Sequence, residues 1–292
     1  MLRFLSSVAD AWISRRAAPD ADALAAVSAF APAVVVTGAS RGIGRALAMR
    51  FARAGADVAL VAREAEPLAR VAAEIAREHG VKAVPIALDI TADAAPAALD
   101  AALRDAGLYA DVIVNNAGVG LAGPFADHAP EEIDRLIALN VTALTRLTRH
   151  ALPAMIARGR GGILNMASLG GIAPGPYQAA YYASKAYVIS LTEAVAHEAS
   201  GQGVRVAVVA PGPVNTGFHK AMGAQDALYR TLIPALSPEA VAASAYRGFM
   251  LGRRKIAPGL VATVSALALK LLPSFVSAPV MGLLLYRPAR PR

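Results

Sequence analysis

Tyr181 and Lys185 stand four residues apart in a stretch of helical periodicity, Ala179–Ser200, so both side chains project from one face with Cβ atoms about 5–6 Å apart. A free tyrosine has a pKa of about 10, and a nearby ammonium favours the phenolate, which suits the pair to exchange a proton near neutral pH. The neighbouring Tyr182 has Ala186 four residues on and lacks such a partner, so it is expected to pack in the core or line the site. A second group is Thr37-Gly38-Ala39-Ser40-Arg41-Gly42-Ile43-Gly44, at the end of an apolar run and the start of a helical one. Gly38 permits a tight turn, Gly42 lets a pyrophosphate approach the helix N-terminus, and Gly44 allows close packing of helix on strand.

A ribose-binding acid is expected about 20 residues further on, but Ala62 and Arg63 occupy that place. With Arg41 inside the glycine loop, Arg63 could grip a 2′-phosphate, so NADP(H) is expected in preference to NAD(H). Two alternatives stay open. Arg63 could simply face solvent, and Glu64 could pair with it or hold a ribose hydroxyl.

These groups need a scaffold, and the pattern supplies one. Strands are predicted at Ala33–Thr37, Asp57–Ala62, Lys82–Ala87, Asp111–Asn115, Gly162–Ala167, Val204–Ala210 and, more weakly, Lys255–Ala257. Alanine-rich helical stretches alternate with them, among them Glu64–Glu78, Glu131–Arg158 with a kink expected at Pro153, and Ala179–Ser200. The fold class is therefore α/β, a Rossmann-type, doubly wound, mostly parallel seven-stranded sheet in a single domain. Residues 31–258 form that domain, with extensions at 1–30 and 259–292. Ligands in such sheets bind beyond the carboxyl ends of the strands, where the motifs fall.

The GxxxGxG spacing resembles that of the short-chain dehydrogenase/reductase family, and the resemblance runs on through Asn115-Asn116-Ala117-Gly118, Asn140, Ser168, Tyr181-Tyr182-Ala183-Ser184-Lys185 and Pro211-Gly212-Pro213-Val214-Asn215-Thr216, in the family's order. It covers roughly residues 33–257. The resemblance implies an NADP(H)-dependent carbonyl reductase or alcohol dehydrogenase. It makes Tyr181 the acid/base, with Lys185 lowering its pKa and bonding the nicotinamide ribose, Ser168 orienting the carbonyl oxygen and Asn140 holding a relay water. It also assigns cofactor contacts to Gly38, Ser40, Arg41, Gly42, Ile43, Gly44, Arg63, Asp89, Ile90, Asn115, Ala117, Gly118, Tyr181, Lys185, Pro211, Gly212, Val214 and Thr216. Asp89 should bond the adenine, Asn115 should hold the central strand and cofactor, and Thr216 should contact the nicotinamide or phosphate side. Dimers or tetramers through the Glu131–Arg158 and Ala179–Ser200 helices are implied too.

Composition narrows the rest. The chain has 292 residues, is 56% hydrophobic and only 17% charged, which excludes disorder and a coiled coil. With no cysteine, it can hold no disulfide, thiolate metal site or cysteine nucleophile. His79, His128, His150, His197 and His219 show no metal-ligand spacing, so no metal is expected. His219 lies in the family's substrate lid, where it could touch substrate. The net charge of +8 could attract phosphate or anionic lipid. Arg253-Arg254-Lys255 lacks interleaved aromatics, so no nucleic-acid partner is expected.

Residues 2–16 read as an amphipathic helix that packs on the domain or lies at a membrane interface, and no export signal is expected in them. Residues 256–286 carry Lys270 as their only charge, and Pro258, Pro273 and Pro279 are expected to break them into short hairpinned helices. A packed or dimer-forming tail, peripheral membrane contact and, less readily, a full span all fit. Arg253, Arg254 and Lys255 before it and Arg287, Arg290 and Arg292 after it suit anionic headgroups. The expected setting is cytoplasmic, with peripheral attachment at the inner face of a membrane as the variant. The Val119–Phe125 and Phe218–Leu236 loops are apolar and point to a hydrophobic ketone, aldehyde or alcohol. A nucleotide-binding sensor or membrane-surface scaffold with little turnover is the alternative.

Overall fold

Seven strands, β1 (Ala31–Thr37), β2 (Asp57–Ala62), β3 (Ala83–Ala87), β4 (Leu108–Asn115), β5 (Gly161–Met166), β6 (Val204–Val209) and β7 (Lys255–Ile256), form one parallel sheet in the order β3-β2-β1-β4-β5-β6-β7. This computed structural model describes residues 19–259, Val264, Ala268 and residues 272–286. The expected N-terminal helix at 2–16, Lys270, and Arg287, Arg290 and Arg292 lie outside the described residues.

The strands are short continuous apolar runs because helices cover both faces of the sheet. On one face Val34, Val36, Leu60, Val114 and Leu164 pack against Leu47 and Phe51 of α2 (Gly42–Ala52), Leu68 and Ile75 of α3 (Ala65–His79) and Phe249 of α10 (Pro238–Met250). On the other, Val35, Val61, Ile113 and Ile163 meet Leu99 and Leu103 of α4 (Ala95–Asp105), Leu147 and Met155 of α6 (Leu144–Ala157) and Ala196 of α7 (Ala179–Glu198). The remaining helices are α1 (Ala21–Ala25), α5 (Pro130–Ile137), α8 (Phe218–Ala221), α9 (Tyr229–Leu232) and α11 (Ser274–Leu285). Chain order reverses at β1, whose neighbours are β2 and β4. A crevice opens beyond the carboxyl ends of the strands at such a reversal.

Three local expectations need correction. The helical run from Pro130 to Ala157 leaves α geometry at Ala138–Ala143, a π-helical turn, while Pro153 is carried within α6. The wider turn sets Asn140 inward, where it bonds Val119 across the gap. Strand β4 begins at Leu108, three residues before the predicted Asp111. Register shifts between Ala33 and Val34 leave Asp111 in a bulge, free to pair with Arg160 at 2.9 Å, so its polarity marks the bulge and not the strand start. Pro279 does not break α11 but lies inside it, and Pro273 is the residue at its N-cap. Pro279 forgoes the bond to the carbonyl of Phe275 one turn back, and the helix continues past it to Leu285.

Helix α11 packs back onto the domain. Met281 and Leu285 are buried with Leu136, Tyr181, Tyr182, Met222 and Tyr229 in one cluster, and Tyr286 meets Tyr177 edge-on at 5.7 Å. Among the described residues, no helix is long and apolar enough to cross a membrane.

Candidate active site

The glycine loop sits at the end of β1 and is shaped by sterics. Gly38 and Gly42 have φ of 65° and 58°, the left-handed region that glycine enters at little cost. At Gly44 an added Cβ would lie 2.2 Å from the Gly38 carbonyl oxygen, so loop and helix touch only because it is glycine. Asn116 locks this loop to β4, donating from Nδ2 to the Thr37 carbonyl at 2.9 Å. Arg41, the residue at the N-cap of α2, gives it no side-chain hydrogen bond, so the first amides of that helix are left for another acceptor.

A cavity of about 1030 Å³ runs from this loop across the strand ends to α11. Gly38, Ser40, Arg41, Gly42, Ile43, Arg63, Asp89, Ile90, Ala117, Gly118, Ser168, Tyr181, Lys185, Pro211, Gly212, Val214 and Thr216 all line it. Glu64 lines it too, and no ion pair joins it to Arg63 among the described residues. The Asp89 carboxyl is held below its usual pKa chiefly by the Thr91 hydroxyl, which donates at 2.7 Å, and further by the Thr91 amide at 2.9 Å.

Gly44 is buried behind the cavity wall, and so is Asn115. The Asn115 amide donates to Asn165 at 2.9 Å and to Thr148 at 3.2 Å, tying β4 to β5 and α6 from inside the core. Its neighbour Asn116 faces the cavity instead. Alternation along a strand decides which of two adjacent asparagines points outward, and the sequence alone does not say where the alternation starts.

Polar side chains gather at the cavity beyond the glycine loop. Asn140, buried in the π-helical turn, accepts from the Val119 amide at 2.9 Å and donates to the Val119 carbonyl at 2.8 Å and to Ser184 at 3.1 Å. Ser184 in turn donates to the Tyr181 carbonyl at 2.7 Å, so this serine braces the first turn of α7. Gly118 brings bare main chain between them, and a Cβ there would lie 3.1 Å from Asn140 Oδ1 and 3.4 Å from Lys185 Nζ. Ser168, at the end of β5, accepts from the Gly170 amide at 3.1 Å, which orients its hydroxyl.

Burial dominates the electrostatics. It pushes the Tyr181 phenol up to about 12, against the Ser168 hydroxyl, which bonds the phenolic oxygen and pulls the other way, while Tyr229 adds to the rise. Burial also lowers the Lys185 ammonium to about 8, and that ammonium donates to the Met166 carbonyl at 3.0 Å. The expectation that Lys185 lowers the Tyr181 pKa is not met in this nucleotide-free arrangement: Lys185 is not among the groups that move the phenol, and desolvation of the phenolate outweighs the Ser168 hydrogen bond.

The far side of the cavity is apolar. Phe218, Met222, Ile233, Val280, Met281, Leu284 and Leu285 line it, with Tyr182 buried among them. Phe218 lies against Tyr181 with ring centroids 5.6 Å apart. His219 reaches the cavity as well, its Nδ1 2.8 Å from the Tyr229 hydroxyl. Residues 218–236 are pinned at their base, where Val214 pairs with Leu236 and Asn215 N donates to the Leu236 carbonyl at 2.8 Å. Gln178, Met222, Tyr229, Met281 and Leu285 carry no sequence motif: Gln178 reaches the site from the N-cap of α7, and the other four join it only through the return of residues 218–236 and of α11.

Comparison with known proteins identifies the family. The family model for short chain dehydrogenases matches residues 32–227. Over 186 residues the chain is 40% identical to a short chain dehydrogenase of Pseudocercospora fijiensis, covering 62% of this chain and 59% of that one. Over 182 residues it is 38% identical to the ketoacyl reductase HetN of a Nostoc species, covering 62% and 63%. The matches thus span about three-fifths of these relatives' lengths. The solved short-chain dehydrogenase from Sphingobium yanoikuyae in complex with NADPH superimposes with a TM-score of 0.73 at 34% identity, covering 89% of this chain and 98% of that one. The family match covers two thirds of the chain and the fold superimposes, and the chain belongs to the short-chain dehydrogenases.

Proposed function

We propose that this protein is an NADP(H)-dependent oxidoreductase that reduces an apolar ketone or aldehyde, or oxidises the matching secondary alcohol, with Tyr181 as acid/base. The observation that carries the reading is one continuous cavity. It has an uncapped helix N-terminus and two arginines at one end, a buried Tyr181 beside Ser168 in the middle, and an apolar chamber at the other. The residues fit a dinucleotide because the uncapped amides of α2 and the glycine floor at Gly42 leave room and donors for a pyrophosphate. Arg41 and Arg63 are the residues that would hold a 2′-phosphate.

When bound, the reduced nicotinamide supplies the hydride. Tyr181 gives its hydroxyl proton to the carbonyl oxygen, Ser168 donates to the same oxygen, and Lys185 bonds the nicotinamide ribose. Asn140 holds the Val119 main chain at the mouth of the site and a relay water beyond it. Phe218, Met281 and Leu285 exclude bulk water and favour a hydrocarbon substituent. The test is titration with NADPH and NADH, then oxidation of NADPH by a panel of apolar ketones and aldehydes, beside Tyr181→Phe. Tighter NADPH binding with turnover lost only in the variant supports the reading; no binding of either nucleotide overturns it.

A membrane-surface role is the second reading, favoured by α11. Its outer face exposes Phe275 (79%) and Leu283 (67%) while its inner face walls the cavity. Residues 240–292 hold eight lysines and arginines and no acid, whereas residues 1–239 hold 21 of each sign, so the whole net charge belongs to the C-terminal segment. In this reading a cytoplasmic enzyme sits at the inner face of a membrane through residues 256–292. Sedimentation with phosphatidylglycerol vesicles, compared with phosphatidylcholine vesicles and with a chain ending at residue 255, tests it. Assembly into dimers or tetramers through α5, α6 and α7 fits their exposed Ile137 and Tyr187, and light scattering decides it.

A further inference from the structure

Hydride transfer gives no role to Gln178, a buried polar group of the cavity. Gln178 is 3% exposed, lines the cavity with Ser168 and Tyr181, and its Nε2 has no hydrogen-bond partner among the described residues. It stands at the N-cap of α7, yet its side chain makes no capping bond. The backbone beside it is held in a costly shape. Tyr177 has φ of 64°, rare for an aromatic residue, and its carbonyl accepts from the Gly123 amide at 2.8 Å. Gln178 itself is clamped, its amide donating to the Gly175 carbonyl at 3.1 Å and its carbonyl accepting from Tyr182 at 2.9 Å. A buried donor without an acceptor, in a strained and clamped position within a ligand cavity, is explained when the ligand brings the acceptor.

We propose that Gln178 is a specificity-determining residue whose amide donates to a second oxygen of the substrate, next to the reacting carbonyl. Gln178 precedes Tyr181 by three residues, one helical turn, so the two polar heads serve neighbouring points in the cavity. That spacing suits an acceptor two or three bonds from the reacting carbon, and Phe218, Met222, Met281 and Leu285 suit a hydrocarbon chain on its other side. The substrate class is a 3-oxo ester, thioester or amide with an apolar tail. The inference rests on the oxidoreductase reading above. In the reaction, C3 gains the hydride of NADPH and its oxygen gains the Tyr181 proton, giving a 3-hydroxy product and NADP⁺. Solvent returns the proton to Tyr181, and the second carbonyl keeps all its bonds while accepting from Gln178.

The test uses the full chain with NADPH and two ketones of similar length, ethyl 3-oxooctanoate and undecan-6-one, which lacks the second oxygen. Gln178→Met, matched in shape, is expected to lower kcat/KM for the ester about tenfold more than for the ketone while NADPH affinity persists. Gln178→Glu, which keeps an oxygen but loses the donor, should show the same selective loss. Equal losses on both ketones, or no loss on either, would overturn the proposal. If the wild type reduces neither, that result bears on the oxidoreductase reading and not on the subsite, which is then read by binding. Binding of ethyl 3-hydroxyoctanoate and undecan-6-ol to the NADP⁺-loaded protein then decides. An ester preference that vanishes in Gln178→Met supports the subsite, and a preference that is absent or survives refutes it.

Discussion

Lys185 Nζ donates to the Met166 carbonyl at 3.0 Å and stands 5.8 Å from the centre of the Tyr181 ring. The ammonium is thereby anchored to the end of β5, and burial, not the ammonium, decides the ionisation of Tyr181. With its phenol raised to about 12, Tyr181 keeps its proton at neutral pH, the form a reductase needs in an acid. In nucleotide-free protein, ultraviolet difference titration against Tyr181→Phe is expected to show no phenolate from this residue at pH 10. A midpoint at or below 10 would sink this account.

The same burial makes Lys185 costly to fold. Its pKa falls from 10.5 to about 8, so between those values the unfolded chain binds more protons and stability rises with pH. Below pH 8 the full cost applies, about 3 kcal/mol, offset in part by the bond to Met166. Lys185→Met is expected to raise Tm at pH 7 while abolishing turnover, with the stability gain fading as the pH approaches 10.5. Thermal melts at pH 7 and pH 10 check it; a variant less stable than wild type at pH 7 contradicts it.

Removing the acid should spare binding. Tyr181→Phe deletes a hydroxyl and leaves a ring that still packs on Phe218 and Tyr182. We expect kcat to fall by about 10²–10⁴ with NADPH affinity unchanged, read by single-turnover kinetics and fluorescence titration.

Cofactor choice should reside in two arginines. Arg63→Ala and Arg41→Ala are each expected to weaken NADPH by about 1.5–3 kcal/mol, the worth of a charged hydrogen bond, and to leave NADH nearly unaffected. Equal weakening of both nucleotides would place these guanidiniums away from the 2′-phosphate.

Gly44→Ala sets propensity against sterics. Alanine in a helix is better than glycine by about 1 kcal/mol, yet its Cβ would lie 2.2 Å from the Gly38 carbonyl oxygen and 2.5 Å from the Asn116 amide nitrogen. Backbone cannot swing aside as a side chain can, so the clash wins. Urea titration is expected to show a loss of stability, and nucleotide binding should weaken with it.

The layout of sheet and loop was legible in the chain. Apolar runs such as Val34-Val35-Val36 and Val58-Ala59-Leu60-Val61 have no other home than a strand covered on both faces, and Gly38, Gly42 and Gly44 mark the one turn that a side chain would obstruct. The order Tyr181, Lys185 at helical spacing likewise carries its own geometry. These are local properties, set by periodicity and by sterics within a few residues.

Tertiary structure decided what locality cannot. Whether Asn115 or Asn116 meets the cavity depends on strand phase, and the π-helical turn at Asn140 depends on the Val119 main chain it must reach. The pKa of Tyr181 does not follow from spacing alone, because its burial comes from residues far along the chain: Phe218 and Tyr229 from residues 218–236, Met281 and Leu285 from α11. Those helices share no motif with Tyr181. They meet it only because apolar surface is buried wherever the folded chain brings it together, irrespective of distance in sequence.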